Sequence, residues 1–340
     1  MQQFKMLVLT DHQGHSHENS LYALGRALHR HAWCAQIDVA TRWNPLNDPF
    51  FQGLDKDDLF VNPIDQNFTF DQDGRAFKTA LRKAKLAEYD LFWLRLPPPI
   101  SKHFLDFLQK EFPDQLIIND PKGIWETGSK KFLLQFPDIC PSMQYCGSMA
   151  DIMAFKKQFP IVLKPLRAYG GKGLIRIDGE KVWMENQEIS FSAFEAEMAN
   201  TKIEYLGVEY LPKVSLGDKR IIVVDGQIMG GSLRLPPKDS WICNVAKGGS
   251  SHLAEIEEEE RDIISRINPL LAEMGVVMYG IDTLVGNDGK RVLSEINTTS
   301  IGGLPQIGKQ QGNSVVQQAV HLIWNYVKHK KQKSNVIGNR

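Results

Sequence analysis

The stretch from Met278 to Asn297 limits what this chain can fold into more than any other. Two apolar runs, Met278 to Leu284 and Val292 to Ile296, flank Asn287-Asp288-Gly289-Lys290. Asp-Gly between such runs is a strong signal for a two-residue hairpin turn. A turn at Asp288-Gly289 sets Asn287 against Lys290, and counting back along both arms sets Asp282 directly opposite Glu295. Opposed residues share a face, with Cβ atoms roughly 5 Å apart. Alternation along the strand adds Asn297 to that face and turns Ile296 away. Two carboxylates that close repel unless a cation lies between them. With an amide oxygen they suit Mg²⁺, which takes one or two carboxylates together with substrate phosphates. Taken alone, the segment reads equally as a hairpin with solvated acids.

The surroundings are those of an α/β protein. Met6 to Thr10 and Asp90 to Arg95 read as buried strands, and Leu21, Leu24 and Leu28 mark a helix between them. Gln115 to Asn119 reads as a further strand, giving an open parallel sheet with its ligand side at the carboxyl ends. Beyond Pro121 come short strands and glycine turns, an amphipathic helix from Glu257 to Glu273 and a closing helix from Val315 to Tyr326. The acids Glu257 to Glu260 read as a solvated helix start. Lys+Arg and Asp+Glu balance at 40 each, so no global field favours nucleic acid or a membrane surface. No apolar run approaches the ~20 residues that span a bilayer, and the start does not read as a signal peptide. The 4 cysteines lack metal-site spacing and read as reduced thiols of a cytoplasmic protein, with Cys140 and Cys146 in packing roles.

Two further motifs carry chemistry. Lys164 ends a buried strand and is followed by Tyr169-Gly170-Gly171-Lys172-Gly173. Glycines let backbone N–H groups close on phosphate oxygens while lysine supplies charge. The loop lacks the Gly-Lys-Ser/Thr ending of a Walker loop and leads into a strand, which also excludes a dinucleotide fingerprint. In Glu209-Tyr210-Leu211-Pro212, a strand broken at proline can offer its backbone to an adenine edge, with Asp218 nearby for ribose hydroxyls. Arg220 and Arg234 lie on the strands that follow, where an inward arginine calls for an anion.

Together these segments resemble the ATP-grasp superfamily and, within it, the bacterial glutathione synthetase family, over most of the chain. The resemblance implies an N-terminal Rossmann-like substrate domain (1–122), a small subdomain with the glycine loop (123–206), and a C-terminal subdomain with the metal and catalytic residues (207–328). The two subdomains would clasp ATP, and 329–340 would be a basic flexible tail. It implies nucleotide-binding roles for Lys130, Lys164, Tyr169, Gly170, Gly171, Gly173, Glu209, Tyr210, Leu211 and Asp218. Asp282, Glu295 and Asn297 would hold two Mg²⁺ ions, or Mn²⁺ in their place. Arg95, Asn244, Gly248, Gly249, Thr299 and Ser300 would face the substrates, and Arg220 and Arg234 would steady the oxyanion.

The implied reaction is ATP-dependent amide formation through an acyl phosphate, γ-glutamylcysteine and glycine giving glutathione, in a dimer or tetramer acting on small molecules. Ile242 and Ser250 stand where the family carries basic residues near its thiol peptide. That departure keeps open a related ligase for another dipeptide or amino acid, or for a protein tail, and a regulator that binds nucleotide without catalysis. His12, His15 and His17 read as a substrate-side loop rather than a metal site.

Overall fold

In the computed structural model, residues 2–184, 187–236, 250–311 and 314–338 are described, with side chains as far as 333. Three sheets follow one another along the chain. The first comprises β1 (Phe4–Thr10), β2 (Cys34–Thr41), β3 (Asp58–Pro63), β4 (Arg82–Lys85), β5 (Leu91–Arg95) and β6 (Leu116–Ile118), in the order β4-β3-β2-β1-β5-β6. β2, β1, β5 and β6 pair in parallel, as expected, but β3 and β4 add an antiparallel edge. β4 is Arg-Lys-Ala-Lys, a short charged strand of the kind that blunts a sheet edge. After β1 the chain passes first to β2 on one side and later to β5 on the other. A crevice therefore opens at the carboxyl ends of β1 and β5.

The second sheet has β7 (Met143–Cys146), β8 (Ile161–Pro165), β9 (Ile175–Asp178), β10 (Lys181–Met184), β11 (Gln187–Ser190) and β12 (Tyr205–Glu209), in the order β11-β10-β9-β8-β12-β7. The third has β13 (Asp218–Val224), β14 (Gln227–Leu235), β15 (Ser250–Ala254), β16 (Met278–Val285) and β17 (Arg291–Asn297), in the order β15-β14-β13-β16-β17. The expected boundary at 206/207 falls inside β12, which pairs with β7 and β8 on its two sides.

The third sheet is buried on both faces. The helix Glu258–Glu273 covers one face through Ile263, Ile264, Ile267 and Leu271. On the other, Ile222, Val224 and Met278 join a core shared with Val8, Trp93 and Trp324. That core ties the first sheet to the third through the last helix, Ser314–Gly338. The helix continues past Tyr326, and Lys331 Nζ donates to the Asp114 carbonyl at 2.8 Å, so the segment expected as a flexible tail is helical as far as Gly338. Glu260, expected in solvent, is fully buried, with its carboxylate on Lys219 Nζ at 2.8 Å and on Thr283 Oγ1 at 2.7 Å. Burying a carboxylate is tolerable here because both oxygens are paired.

The β16–β17 hairpin departs from the simplest expectation twice, and the two departures cancel. Gly286 rather than Asn287 faces Lys290, its N–H donating to the Lys290 carbonyl at 2.7 Å. The loop is therefore three residues, with Gly289 at φ 90°. That slips the register by one, and Thr283 pairs with Leu293. Ser294 is then an extra residue, a β-bulge, which restores Asp282 to Glu295 and Gly280 to Asn297.

Candidate active site

A cleft between the second and third sheets is lined by Val162, Val208, Leu211 and Leu284 on its apolar side and by Lys130, Lys164, Ser294 and Glu295 at one end. Lys164, on β8, points across to β17, where its Nζ lies 3.1 Å from Ser294 Oγ and 3.4 Å from the Ser294 carbonyl. Burial, then the charge of Lys130, holds its pKa below the ordinary lysine value, while Glu295 opposes the shift. Lys130 begins a 3-10 turn (Lys130–Gln135), and its backbone N–H donates to the Leu166 carbonyl at 2.8 Å. Its Nζ binds the Ala168 carbonyl and lies 3.0 Å from Glu295 Oε1. Two cations and one carboxylate thus meet at the bulge. Sequence reasoning missed Ser294, because nothing in Leu-Ser-Glu marks a bulge.

Behind Glu295 lies a second charge group. Arg220 grips Asp282 with Nε at 2.8 Å and Nη2 at 2.7 Å. Arg234 Nη2 reaches the same carboxylate at 3.0 Å and also pairs with Asp218 through two hydrogen bonds. The pairing follows from register, since Asp218 opposes Arg234 and Arg220 opposes Asp282 across adjacent strand pairs. Burial alone would raise the Asp282 pKa, but the two guanidiniums outweigh it and hold the carboxyl well below its usual range. Asp218 is pushed up to about 6 by burial and the Asp282 charge, against the pull of Arg234. The anions that Arg220 and Arg234 call for are therefore Asp282 and Asp218 themselves. Two acids and two arginines here leave no unpaired buried charge.

The strand end Glu209-Tyr210-Leu211 forms the far wall. The N–H groups of Glu209 and Tyr210 serve the sheet, donating to the carbonyls of Ser142 and Pro160 at 2.8 Å each. Glu209 Oε1 accepts from Asn287 Nδ2 at 2.6 Å, which joins this wall to the β16–β17 loop. Arg176 lies over the Tyr210 ring at 4.0 Å and the Trp183 ring at 4.6 Å. The glycine loop covers the cleft from above, and Gly170, Gly171 and Gly173 have φ of 66°, 72° and 70°, a region open to glycine at little cost. It is tethered on its near side. Tyr169 OH donates to the Gly128 carbonyl at 2.9 Å, and Arg167 donates to the Trp125 carbonyl at 2.9 Å while lying 3.5 Å over the Trp125 ring.

On the side of the first sheet, Arg95 is completely buried at the end of β5. Nη2 donates to the Ile301 carbonyl at 2.8 Å, and Nε has no partner among the described residues. Burial brings its pKa down to about 10. Thr299 lines a small recess with Trp125 and Tyr169, and Ser300 takes φ 45° in the turn that delivers Ile301 to Arg95. Asn119 clamps this region. Its amide donates to the Met278 and Thr298 carbonyls at 2.7 Å each and accepts from the N–H groups of Val277 and Met278. Asn244, Gly248 and Gly249, with Ile242, lie outside the described residues.

Among the described residues, no group of three or more His, Cys, Asp or Glu side chains could hold a metal unaided. Asp282, Glu295 and Asn297 do lie together, with Asn297 Nδ2 donating to Asp282 Oδ2 at 3.2 Å. That orientation leaves Asn297 Oδ1 without a hydrogen bond among the described residues. This oxygen-only set fits a partial shell for Mg²⁺ that nucleotide phosphates complete.

The family described as prokaryotic glutathione synthetase, ATP-grasp domain, matches residues 129–312. A glutathione synthetase of Bradyrhizobium diazoefficiens is 30% identical over 279 residues, covering 80% of this chain and 84% of that protein. One of Brucella melitensis is 30% identical over 251 residues, covering 72% and 75%. Among solved structures, the D-alanine-D-alanine ligase of Coxiella burnetii superposes with a TM-score of 0.62 at 11% identity, covering 99% of this chain and 98% of that one. A D-cycloserine synthetase superposes at 0.60 with 14% identity, covering 93% and 98%. At such identities these two likenesses concern the fold.

Proposed function

Because the chain belongs to the prokaryotic glutathione synthetase ATP-grasp family, we propose that its cleft joins a small carboxylic acid to an amine with ATP giving ADP. The leading reaction is γ-glutamylcysteine plus glycine to glutathione. The observation that carries this reading is the convergence of Lys130, Lys164 and Glu295 at one end of an apolar cleft whose other end is Glu209-Tyr210-Leu211. An adenine between Val162 and Leu284 can meet the Leu211 backbone, and its phosphates then run toward the two lysines.

Lys130 and Lys164 hold phosphate oxygens in this reading. Lys164 is suited to the task because burial leaves its ammonium poorly solvated, so an arriving phosphate offers the counter-charge that water does not. Glu295, with Asn297 and Asp282, would bind Mg²⁺, which when bound neutralises charge on the phosphates. Arg220 and Arg234 hold Asp282 ionised beside Glu295 and Asn297. They are the candidates to steady the oxyanion that forms when the amine attacks the acyl phosphate. Tyr169 and Arg167 keep the glycine loop over the cleft, where it excludes water that would hydrolyse that intermediate. Arg95 is the candidate anchor for the acid substrate. Two metal ions, a dimer or tetramer and a cytoplasmic setting belong to the same proposal. So does a three-part division of the chain, with its second boundary moved to follow Glu209.

The test is ADP release with γ-glutamylcysteine, glycine and Mg²⁺, each omitted in turn. Release that requires every component supports the reading. Release indifferent to acid and amine, or absent across a panel of acids and amines, refutes it.

A further inference from the structure

The first sheet carries a second cleft that the nucleotide chemistry does not use. It opens at the carboxyl ends of β1 and β2, beside the crevice marked by the strand order, and has a volume of about 430 Å³. That is within the range of pockets that hold small molecules. Resting on the ligase reading above, we propose that this cleft is the side-chain pocket of the acid substrate and takes an aromatic or heteroaromatic ring.

The walls combine rings from separate segments with the polar side chains of Gln13, Asp71, Gln72, Asp73 and Lys78. His12 stacks on Phe77 with centroids 4.7 Å apart and planes 8° from parallel. His15 meets Phe77 edge-on at 6.0 Å and Tyr22 edge-on at 5.6 Å, and Tyr22 in turn meets Phe70 at 5.9 Å. Trp43, at the mouth, is 51% exposed, a large apolar surface left to water. Aromatic faces and edges arranged this way match another ring, because offset and edge-on pairs add attraction beyond burial.

The charges favour a neutral ring over a cation. Burial, then Lys78, lowers the His12 pKa. Burial, then His12 and Arg95, brings His15 down to about 4, so both imidazoles are neutral at neutral pH. The two rim acids, Asp71 and Asp73, lie 3.6 and 3.3 Å from the one guanidinium of Arg75, and Lys78, which also lines the cleft, supplies the second positive charge. Each imidazole spends Nδ1 internally, His12 on Thr41 Oγ1 at 2.8 Å and His15 on Tyr22 OH at 3.0 Å. Neither Nε2 has a hydrogen-bond partner among the described residues, so both remain for a polar ring edge.

The cleft neighbours the end of β1 and, through it, Arg95. Thr10, where β1 ends, pairs with Arg95, and the loop carrying His12 and His15 follows directly. Arg95 contacts Ile301, four residues beyond Asn297. Arg95 is fully buried, with Nη2 on the Ile301 carbonyl and Nε without a partner among the described residues, and it lies near enough to His15 to depress that imidazole's pKa. A substrate with its carboxylate on the Arg95 side and a ring against His12, His15, Phe70 and Trp43, with Tyr22 and Phe77 buried behind them, would use both. The side chain of γ-glutamylcysteine would fill little of the cleft. The competing explanation is that the rings only pack the loops together.

The test uses the full-length enzyme, γ-glutamylphenylalanine and γ-glutamylcysteine as acids, and two readouts. Titration of γ-glutamylphenylalanine into wild type and Trp43→Leu should give a fluorescence change that the variant loses. In steady state, Trp43→Ala should raise the ratio of KM for the aromatic acid to KM for the thiol acid at least ten-fold. No Trp43-dependent fluorescence change, or a ratio left unchanged, would overturn the proposal and leave rings that only pack loops. If γ-glutamylcysteine supports ADP release while both readouts are flat, only this inference fails. If no acid supports ADP release the ligase reading fails, and the fluorescence titration still decides whether the cleft binds a ring.

Discussion

The two clefts are built from opposite materials. The nucleotide side rests on fixed charge carried by strands: Asp218, Arg220, Arg234 and Asp282 cross-link β13, β14 and β16. Lys130 and Lys164 converge on the bulged β17. The ring cleft of the first sheet, proposed for the acid, gathers neutral rings from loops, from the helix Ser20–His29 and from the 3-10 turn Arg75–Phe77. Charges on strands are fixed by the sheet, whereas His12, His15 and Trp43, on loops, can be exchanged without disturbing one. The contrast predicts that substitutions on the first side damage fold and turnover together, and that substitutions on the second change substrate preference.

The largest effect expected is at Asp282. Asp282→Asn leaves Arg220 and Arg234 short of a buried counter-charge, and breaking such a pair costs about 3–5 kcal/mol. Urea unfolding should show that loss together with loss of ADP formation. A fully stable, inactive variant would mean that Asp282 serves chemistry alone. Next is Lys164→Met, which removes a preorganised cation and should lower kcat about 10²–10³-fold with little change in stability. Full turnover in that variant would remove Lys164 from the phosphate site. Smaller again is Tyr169→Phe, which deletes one hydrogen bond of about 1 kcal/mol and so loosens the glycine loop several-fold. The expected sign is more ADP released per amide formed, because water gains access, and an unchanged coupling ratio would count against the tether.

An effect confined to acidic pH separates the clefts. His15 binds its proton less readily when folded, about 4 against an ordinary 6.5, so the unfolded chain takes up protons first on acidification. Stability from this group is fully present above 6.5 and is lost as pH falls from 6.5 toward 4. His15→Gln should flatten that part of the pH dependence, and a curve of unchanged slope would show that the ring is not held neutral by its surroundings.

Local signals made the strand-borne side readable. Asp-Gly marked the turn, and alternation put Asp282, Glu295 and Asn297 together, although the observed register needed a longer loop and a compensating bulge at Ser294. Glu260 was misread because acid-rich first turns are usually solvated. Its burial depends on Lys219, which alternation turns to the opposite face from Asp218 and Arg220. Arg220 and Arg234 were rightly expected to need anions, but the partners lay on neighbouring strands and only register identifies them. Of the ring cleft only the loop with His12 and His15 was singled out, as a substrate-side loop, and the rest could not be read. Its parts come from residues 12–15, 22, 43 and 70–78, and no spacing within one segment announces a site assembled from four.

The acyl-phosphate route has a direct signature in oxygen transfer. With γ-glutamylcysteine labelled by ¹⁸O in its reacting carboxylate, together with glycine, ATP and Mg²⁺, one labelled oxygen should appear in inorganic phosphate for each amide formed. Phosphate free of label, or label recovered in AMP, would contradict carboxylate attack on the γ-phosphate in this cleft.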